Sequence, residues 1–101
     1  MIKEKSKDFM KFDNEKIMFE LIEPAFEEGI AKILTFGAKK YAVDNWKLGD
    51  TPEDRQRYIG ALRRHINAYR KGEIIDPDSG ESHLYHAACN LMFLDYFDKQ
   101  K

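Results

Sequence analysis

The segment from Ser82 to Phe97 constrains the fold most. Read as a helix, it carries Leu84, Ala87, Ala88, Leu91, Met92, Phe93 and Leu94 around most of its circumference. Apolar side chains on nearly all sides need cover on all sides, so this helix belongs inside a bundle or at a subunit contact. In a chain of 101 residues that cover comes from one small domain, because the length leaves no room for a second core. A domain of this size buries a modest share of its surface, and oligomerisation would add to its stability.

Two upstream segments have the spacing to supply cover. In the first, apolar residues recur at Met18, Leu21, Ile22, Ala25, Gly29, Ile33 and Phe36, with a second row at Phe26, Ile30 and Leu34. Asp13 or Asn14 can cap its start. Pro24 interrupts the row. Either the helix kinks there, or a short helix ends at Glu23 and a new one begins with Pro24 in its first turn. The second segment has Thr51 as N-cap, Pro52 as first helical residue, and Glu53 and Asp54 at the positive end of the dipole. Tyr58, Leu62, His65, Ile66 and Tyr69 form its apolar face, and Gly72 ends it after Arg70 and Lys71. No strand-like alternation and no internal repeat occur. The expected class is all-α, a bundle of three main helices with a short extra N-terminal helix where Pro24 breaks the pattern, completed by oligomerisation. Residues 1–11 read as a charged tail and 12–101 as the single domain.

Hydrophobic residues at 43% and aromatics at 13% fit a folded globule and not a disordered chain. Charged residues reach 35% with a formal net charge of only −1, a balance unlike that of a general nucleic-acid binder. A helical DNA-binding module is therefore the weakest of the functional readings. The single cysteine, Cys89, excludes an intramolecular disulfide and a zinc-binding cysteine set, and its apolar neighbours mark it as a small packed side chain. The N-terminus lacks the apolar core of a signal peptide, and no stretch is long enough to span a membrane, so the expected compartment is the cytoplasm.

Chemistry-bearing residues concentrate around the apolar helix. His83, His86 and Asn90, spaced three and four apart, share one of its faces. They read either as polar groups satisfied within the core or as a row that meets phosphate or orients a metal-bound water. The preceding loop holds Glu73, Asp76, Asp78 and Ser79-Gly80. Its carboxylates are hard oxygen ligands suited to Mg²⁺ or Mn²⁺, and the helix N-terminus beyond can receive an anion. Asp-Pro-Asp-Ser-Gly is equally a set of turn residues. On the second helix His65 faces inward between Leu62 and Tyr69, as a core histidine or as a partner of His83 and His86 across the bundle. Arg63 and Arg64, adjacent on that helix, cannot point the same way. In the loop after the first helix, Lys39, Lys40 and Asn45 are placed to contact phosphates, and Tyr41 and Trp46 to stack on a base or to plug the end of the core. Glu28 stands at the edge of the first apolar stripe, as a ligand or as an exposed carboxylate.

Taken in order, Phe12-Asp13-x-x-Lys16, Phe36-Gly37-Ala38-Lys39-Lys40-Tyr41, Asn45-Trp46, Arg64-His65, Gly72-Glu73, Asp76-x-x-Ser79-Gly80, His83-x-x-His86 and Asn90 resemble the dATP/dGTP diphosphohydrolase N-terminal domain family, which is frequent in phages and prophages. The resemblance runs from Phe12 to about Phe97. That family is in turn similar to the MazG-like all-α nucleoside triphosphate pyrophosphatases, which are helical and oligomeric. The resemblance implies hydrolysis of a (deoxy)nucleoside triphosphate of the dGTP/dATP class to the monophosphate and pyrophosphate, with Mg²⁺ or Mn²⁺, in a homo-oligomer, dimer or tetramer. It implies His83, His86 and Asp78 as catalytic groups. Lys39, Lys40, Tyr41, Asn45, Trp46, Arg64, His65, Ser79 and Asn90 would bind substrate, and Glu28, Glu73, Asp76 and Asp78 would hold metal. MazG-like enzymes hold metal with paired Glu-x-x-Glu and Glu-x-x-Asp motifs on two helices. Here the apolar helix carries His83-x-x-His86 instead, while Glu20-x-x-Glu23 abuts Pro24 and Glu73-x-x-Asp76 precedes the helix. Either the metal site is rebuilt, or the domain is a non-catalytic nucleotide-binding or phage accessory module.

Overall fold

A computed structural model describes residues 16–100. The expected capping residues Asp13 and Asn14, the boundary near residue 11, and Phe12 and Asp13 of the family pattern lie outside that range. The described residues form three helices, α1 (Pro24–Lys40), α2 (Pro52–Arg70) and α3 (His83–Asp98), with short 3-10 turns at Phe19–Leu21 and Asn45–Leu48. Among the described residues no strand forms, apart from one antiparallel bridge between Ile75 and Ser82. The all-α class is as the periodicity predicts.

Pro24 resolves the first segment in favour of a break. It occupies the first turn of α1, where its missing N–H costs nothing, and among the described residues a 3-10 turn precedes it. Thr51 caps α2 by accepting from the Asp54 N–H at 3.0 Å, and its hydroxyl donates back to the Asp54 carboxylate at 2.8 Å. At the other end Gly72 takes φ +102°, and the N–H groups of Gly72 and Glu73 donate to the carbonyls of Tyr69 and Ala68. This pair of bonds is a Schellman motif, which needs a left-handed residue at the glycine position. Ser82 caps α3 by accepting from Leu84 N–H at 3.0 Å.

The most apolar helix is the central one. α3 packs mainly on α2 and over a shorter stretch on α1. The ring of Tyr85 lies directly over Gly29 of α1, where any Cβ would collide with it, and Phe26 meets the same ring edge-on at 5.5 Å. Cys89, buried as expected, reaches the carbonyl of Ile30 at 3.7 Å, and burial pushes its thiol up to about 11. Towards the far end, Trp46 stacks on Phe93 at 4.5 Å and meets Tyr96 and Phe97 edge-on. Tyr58 closes this cluster, donating its hydroxyl to the Trp46 carbonyl at 2.7 Å.

In one respect α3 departs from its periodicity. Only Ala87, Cys89 and Phe97 are fully buried apolar residues, and Leu91 remains 56% exposed. Two neighbouring helices cannot cover a helix that is apolar on most sides. Phe19, Leu21 and Leu48 are exposed as well. Among the described residues no helix is long and apolar enough to cross a membrane.

Candidate functional site

The site forms where the end of α2, the loop after it and the first turns of α3 meet. The Schellman turn at Gly72 sends the chain back along α2. Asp76 N–H then donates to the Glu81 carbonyl at 2.8 Å and His83 N–H to that of Ile74 at 3.0 Å, so the loop folds over the start of α3. Gly80, at φ +75°, makes the tight return possible and donates its N–H to the Asp76 carbonyl. Inside the loop the Asp76 carboxylate accepts from the Asp78 N–H at 3.3 Å and the Ser79 hydroxyl at 3.2 Å. The turn and the ligand readings of this segment are thus compatible: it is a turn closed around an inward carboxylate.

Two histidines converge on that carboxylate, and a third supports them. His86 Nε2 lies 3.2 Å from Asp76 Oδ2 and 2.7 Å from Ser79 Oγ. His65, from α2, stacks on His86 with centroids 4.4 Å apart and planes at 6°. His83 stands behind them, with its Nδ1 2.8 Å from His65 Nδ1 and its Nε2 2.7 Å from Glu73 Oε1. Spacing on α3 explains the pairing, since residues three apart sit on one face and both look toward α2.

Protonation suits cation binding. Burial holds the imidazolium forms of His65 and His86 in check, so both titrate below the ordinary histidine value; neighbouring histidines add to this, while Asp76 opposes it. Burial would raise Asp76, but hydrogen bonds from Asp78 and Ser79 and the nearby histidines outweigh it and hold its carboxyl below the ordinary range. The result is two neutral imidazoles beside an ionised carboxylate. Among the described residues, His65, Asp76 and His86 bring one ligand atom each to within 4.8 Å of one another, close enough to share one ion. The chemistry of this donor set fits a divalent cation.

Several expected residues stand elsewhere. Glu73 holds His83 rather than joining the three-ligand group, and Asp78 contributes its main-chain N–H while its side chain is exposed. His83, expected to face phosphate, is only 4% exposed, with both ring nitrogens engaged. Asn90 turns its amide back to donate to the His86 carbonyl at 2.9 Å. Arg64 is exposed and lines a separate cleft with Asn67, Lys71 and Glu73. The ammonium of Lys40 lies over the ring of Tyr41 at 5.3 Å.

One cleft reaches the site through Ser79, and a second adjoins that cleft. The first, of about 410 Å³, runs between α1 and the loop, lined by Glu28, Lys32, Thr35, Lys39, Ser79 and Glu81 among others. A larger, mostly apolar one of about 750 Å³ is lined by Tyr41, Asn45, Trp46, Tyr58 and Phe93 among others. Thr35, Phe36 and Lys39 belong to both, so Lys39 stands at their common rim. Lys32 and Glu81 were not foreseen. For Lys32 the signal was present: Glu28, Lys32, Thr35 and Lys39 follow helical spacing along one face of α1.

Residues 6–101 match the family described as dATP/dGTP diphosphohydrolase, N-terminal. A protein of Salmonella phage PMBT28 named dATP/dGTP diphosphohydrolase is 35% identical over 85 residues, which is 84% of this chain. The chain spans 28% of the length of that relative. No solved structure matches. With the match running over nearly the whole chain, including His65, Asp76, His83 and His86, the protein belongs to the dATP/dGTP diphosphohydrolase N-terminal family.

Proposed function

We propose that this domain hydrolyses a deoxynucleoside triphosphate of the dGTP/dATP class to the monophosphate and pyrophosphate, with a divalent cation, Mg²⁺ or Mn²⁺. The observation that carries this reading is the junction at Ser79: its hydroxyl touches the His86–Asp76 pair, and its residue also lines a cleft bearing Lys32 and Lys39. In the reaction, water attacks the α-phosphorus, the P–O bond to the β-phosphate breaks, and pyrophosphate departs. The cation, when bound, supplies Lewis acidity and neutralises charge on the phosphates. Lys32 and Lys39 attract the β- and γ-phosphates, and the Ser79 hydroxyl, released from Asp76 once that carboxylate holds the cation, turns to donate to a phosphate oxygen. The base enters the apolar cleft, where Tyr41 and Trp46 offer ring surfaces. His83 and Glu73 orient His65 and do not touch the substrate.

The 28% share of the phage relative favours a second reading, a nucleotide-binding module serving catalysis elsewhere in a longer protein. One experiment separates the two. The purified domain is incubated with dGTP and dATP, with each cation, and products are resolved by phosphorus NMR. Monophosphate and pyrophosphate are expected. Nucleotide-induced stabilisation without turnover identifies the module, and neither turnover nor binding overturns both readings.

We also infer a homo-oligomer, dimer or tetramer, because Phe19, Leu21, Leu48 and Leu91 are all more than half exposed. Light scattering tests this, and a monomer at micromolar concentration would overturn it. On this reading the place of work is the cytoplasm of a bacterial cell, with no membrane and no specific nucleic acid as partner.

A further inference from the structure

We propose that His65, Asp76 and His86 form a three-ligand site for a first-row transition metal, Mn²⁺ to Zn²⁺, that discriminates against Mg²⁺, and that Glu73 and His83 set the tautomer of His65 for it. The inference rests on the functional reading only for its use of a divalent cation; metal binding itself stands apart from turnover.

Geometry comes first. Donor atoms sharing an ion at about 2.0–2.2 Å, in tetrahedral or octahedral array, lie roughly 2.8–3.6 Å apart. His86 Nε2 and Asp76 Oδ2 are separated by 3.2 Å; in the metal-free site this contact carries the Nε2 hydrogen, which a bound ion displaces, leaving the ring hydrogen of His86 on Nδ1. The third donor, on His65, completes a group confined within 4.8 Å and drawn from α2, the loop and α3. Two imidazoles and one carboxylate leave the remaining coordination positions open to water or phosphate oxygen.

Next comes proton placement. The Glu73 carboxylate only accepts, so His83 carries its hydrogen on Nε2. In neutral His83 the Nδ1 is then a lone pair, and the 2.8 Å contact to His65 Nδ1 requires the hydrogen to sit on His65. His65 Nε2 is left with its lone pair free. A carboxylate, one histidine removed, thereby fixes which nitrogen of the outer histidine can bind metal, the task that partners of ligating histidines usually perform. Glu73 and His83 are positioning residues on this account.

Metal class follows from the donors. Mg²⁺ prefers oxygen ligands and retains most of its water, so it gains little from imidazole. Mn²⁺, Fe²⁺, Co²⁺ and Zn²⁺ accept mixed nitrogen and oxygen sets, with affinity generally rising along the series.

The test is a metal titration of the chelator-stripped domain, without nucleotide. Co²⁺ is expected to bind one per chain with visible d–d absorption, and Zn²⁺ to bind at least about 100-fold more tightly than Mg²⁺ by calorimetry. His65→Gln, Asp76→Asn and His86→Gln should each abolish the Co²⁺ spectrum. Glu73→Gln should weaken binding about 10- to 100-fold while leaving the spectrum attainable at higher metal. Asp95→Asn, at the distant end of α3, should change nothing. Circular dichroism confirms that each variant folds, and the wild-type titration decides the metal class even if one does not. No Co²⁺ or Zn²⁺ binding, equal affinity for Mg²⁺, or binding indifferent to the three ligand substitutions would each overturn the proposal. Metal binding without turnover overturns the hydrolase reading alone, whereas turnover with Mg²⁺ and no transition-metal site overturns this one alone.

Discussion

The Nδ1 atoms of His65 and His83 stand 2.8 Å apart, so one ring donates to the other and a single hydrogen lies between them. With Glu73 on the opposite nitrogen of His83, a buried side chain has both its polar atoms satisfied. Removing it strands a nitrogen of His65 in a half-buried setting and leaves a void under α2. His83→Ala is expected to lower unfolding free energy by about 1–3 kcal/mol, the usual cost of orphaning such a partner. Urea unfolding of the metal-free protein measures it. A loss below about 0.5 kcal/mol would mean that the pair contributes no stability.

Gly29 gives a separate test of the α1–α3 contact. A methyl group there meets the Tyr85 ring inside van der Waals distance, and the ring is braced by Phe26. Gly29→Ala is expected to destabilise by about 1–3 kcal/mol, as overpacking does. In a Tyr85→Ala background the same change should become neutral or favourable, because alanine is the better helix former by roughly 1 kcal/mol. Equal effects in the two backgrounds would place the strain elsewhere.

Much of this arrangement was legible in the residues themselves, and the exceptions have physical reasons. Caps and breakers act locally, so Thr51, Pro52, Gly72 and the break at Pro24 could be read directly. His65, His83 and His86 could be grouped because helical spacing fixes which residues share a face. Whether a carboxylate points at a neighbour or at water depends on tertiary placement, which spacing alone does not give. Glu73 and Asp78 are carboxylates like Asp76, yet only Asp76 lies under the Ser79 and Asp78 hydrogen bonds that turn it inward. Trp46 could be read as a base platform or as a plug. Its stacking on Phe93 commits one face to the core, while the residue also lines the apolar cleft. Spacing places Lys32 on one face of α1 with Glu28 and Lys39, but the cleft opposite that face is made by the tertiary placement of Ser79 and Glu81.

The metal-free protein should lose stability as pH falls. His65 and His86 titrate lower when folded than when unfolded, so below about pH 6.5 the unfolded chain takes up protons first. The stabilisation is complete above that value and is lost on the way down through the folded pKa values. Arg64 and His83 strengthen the effect at His65, while Asp76 and Glu81 oppose it at His86. Asp76 acts lower, its contribution being present above its ordinary value and lost beneath it. Thermal melts in chelator between pH 8 and 5 should show a falling midpoint, with a shallower fall in His65→Gln. A flat profile would contradict the neutral assignment of both rings.

Cys89 should resist alkylation. With its thiol pushed up to about 11 by burial, the thiolate fraction at pH 8 is far below that of a free cysteine. Iodoacetamide labelling of the native protein should be slow and should become rapid in denaturant. Rapid native labelling would mean that the α1–α3 contact opens readily.

Lys39 carries the sharpest test of how the nucleotide lies. It stands at the rim shared by the two clefts, seven residues along α1 from Lys32 on the same face. A lysine there attracts phosphate as a point charge, with little dependence on the stage of reaction, so its removal weakens substrate and transition state alike. Lys39→Ala is expected to raise KM for dGTP about 10-fold with kcat changed less than about 3-fold, equivalent to roughly 1.4 kcal/mol of binding. Lys39→Arg should restore most of it, because the charge is kept. Lys32→Ala should behave similarly, and both should matter less as salt is raised, since exposed charges are screened. Lys99→Ala, at the far end of α3, serves as the control. If kcat falls as steeply as kcat/KM in Lys39→Ala, the lysine acts in the transition state and the phosphates lie deeper toward His86 than the cleft geometry suggests.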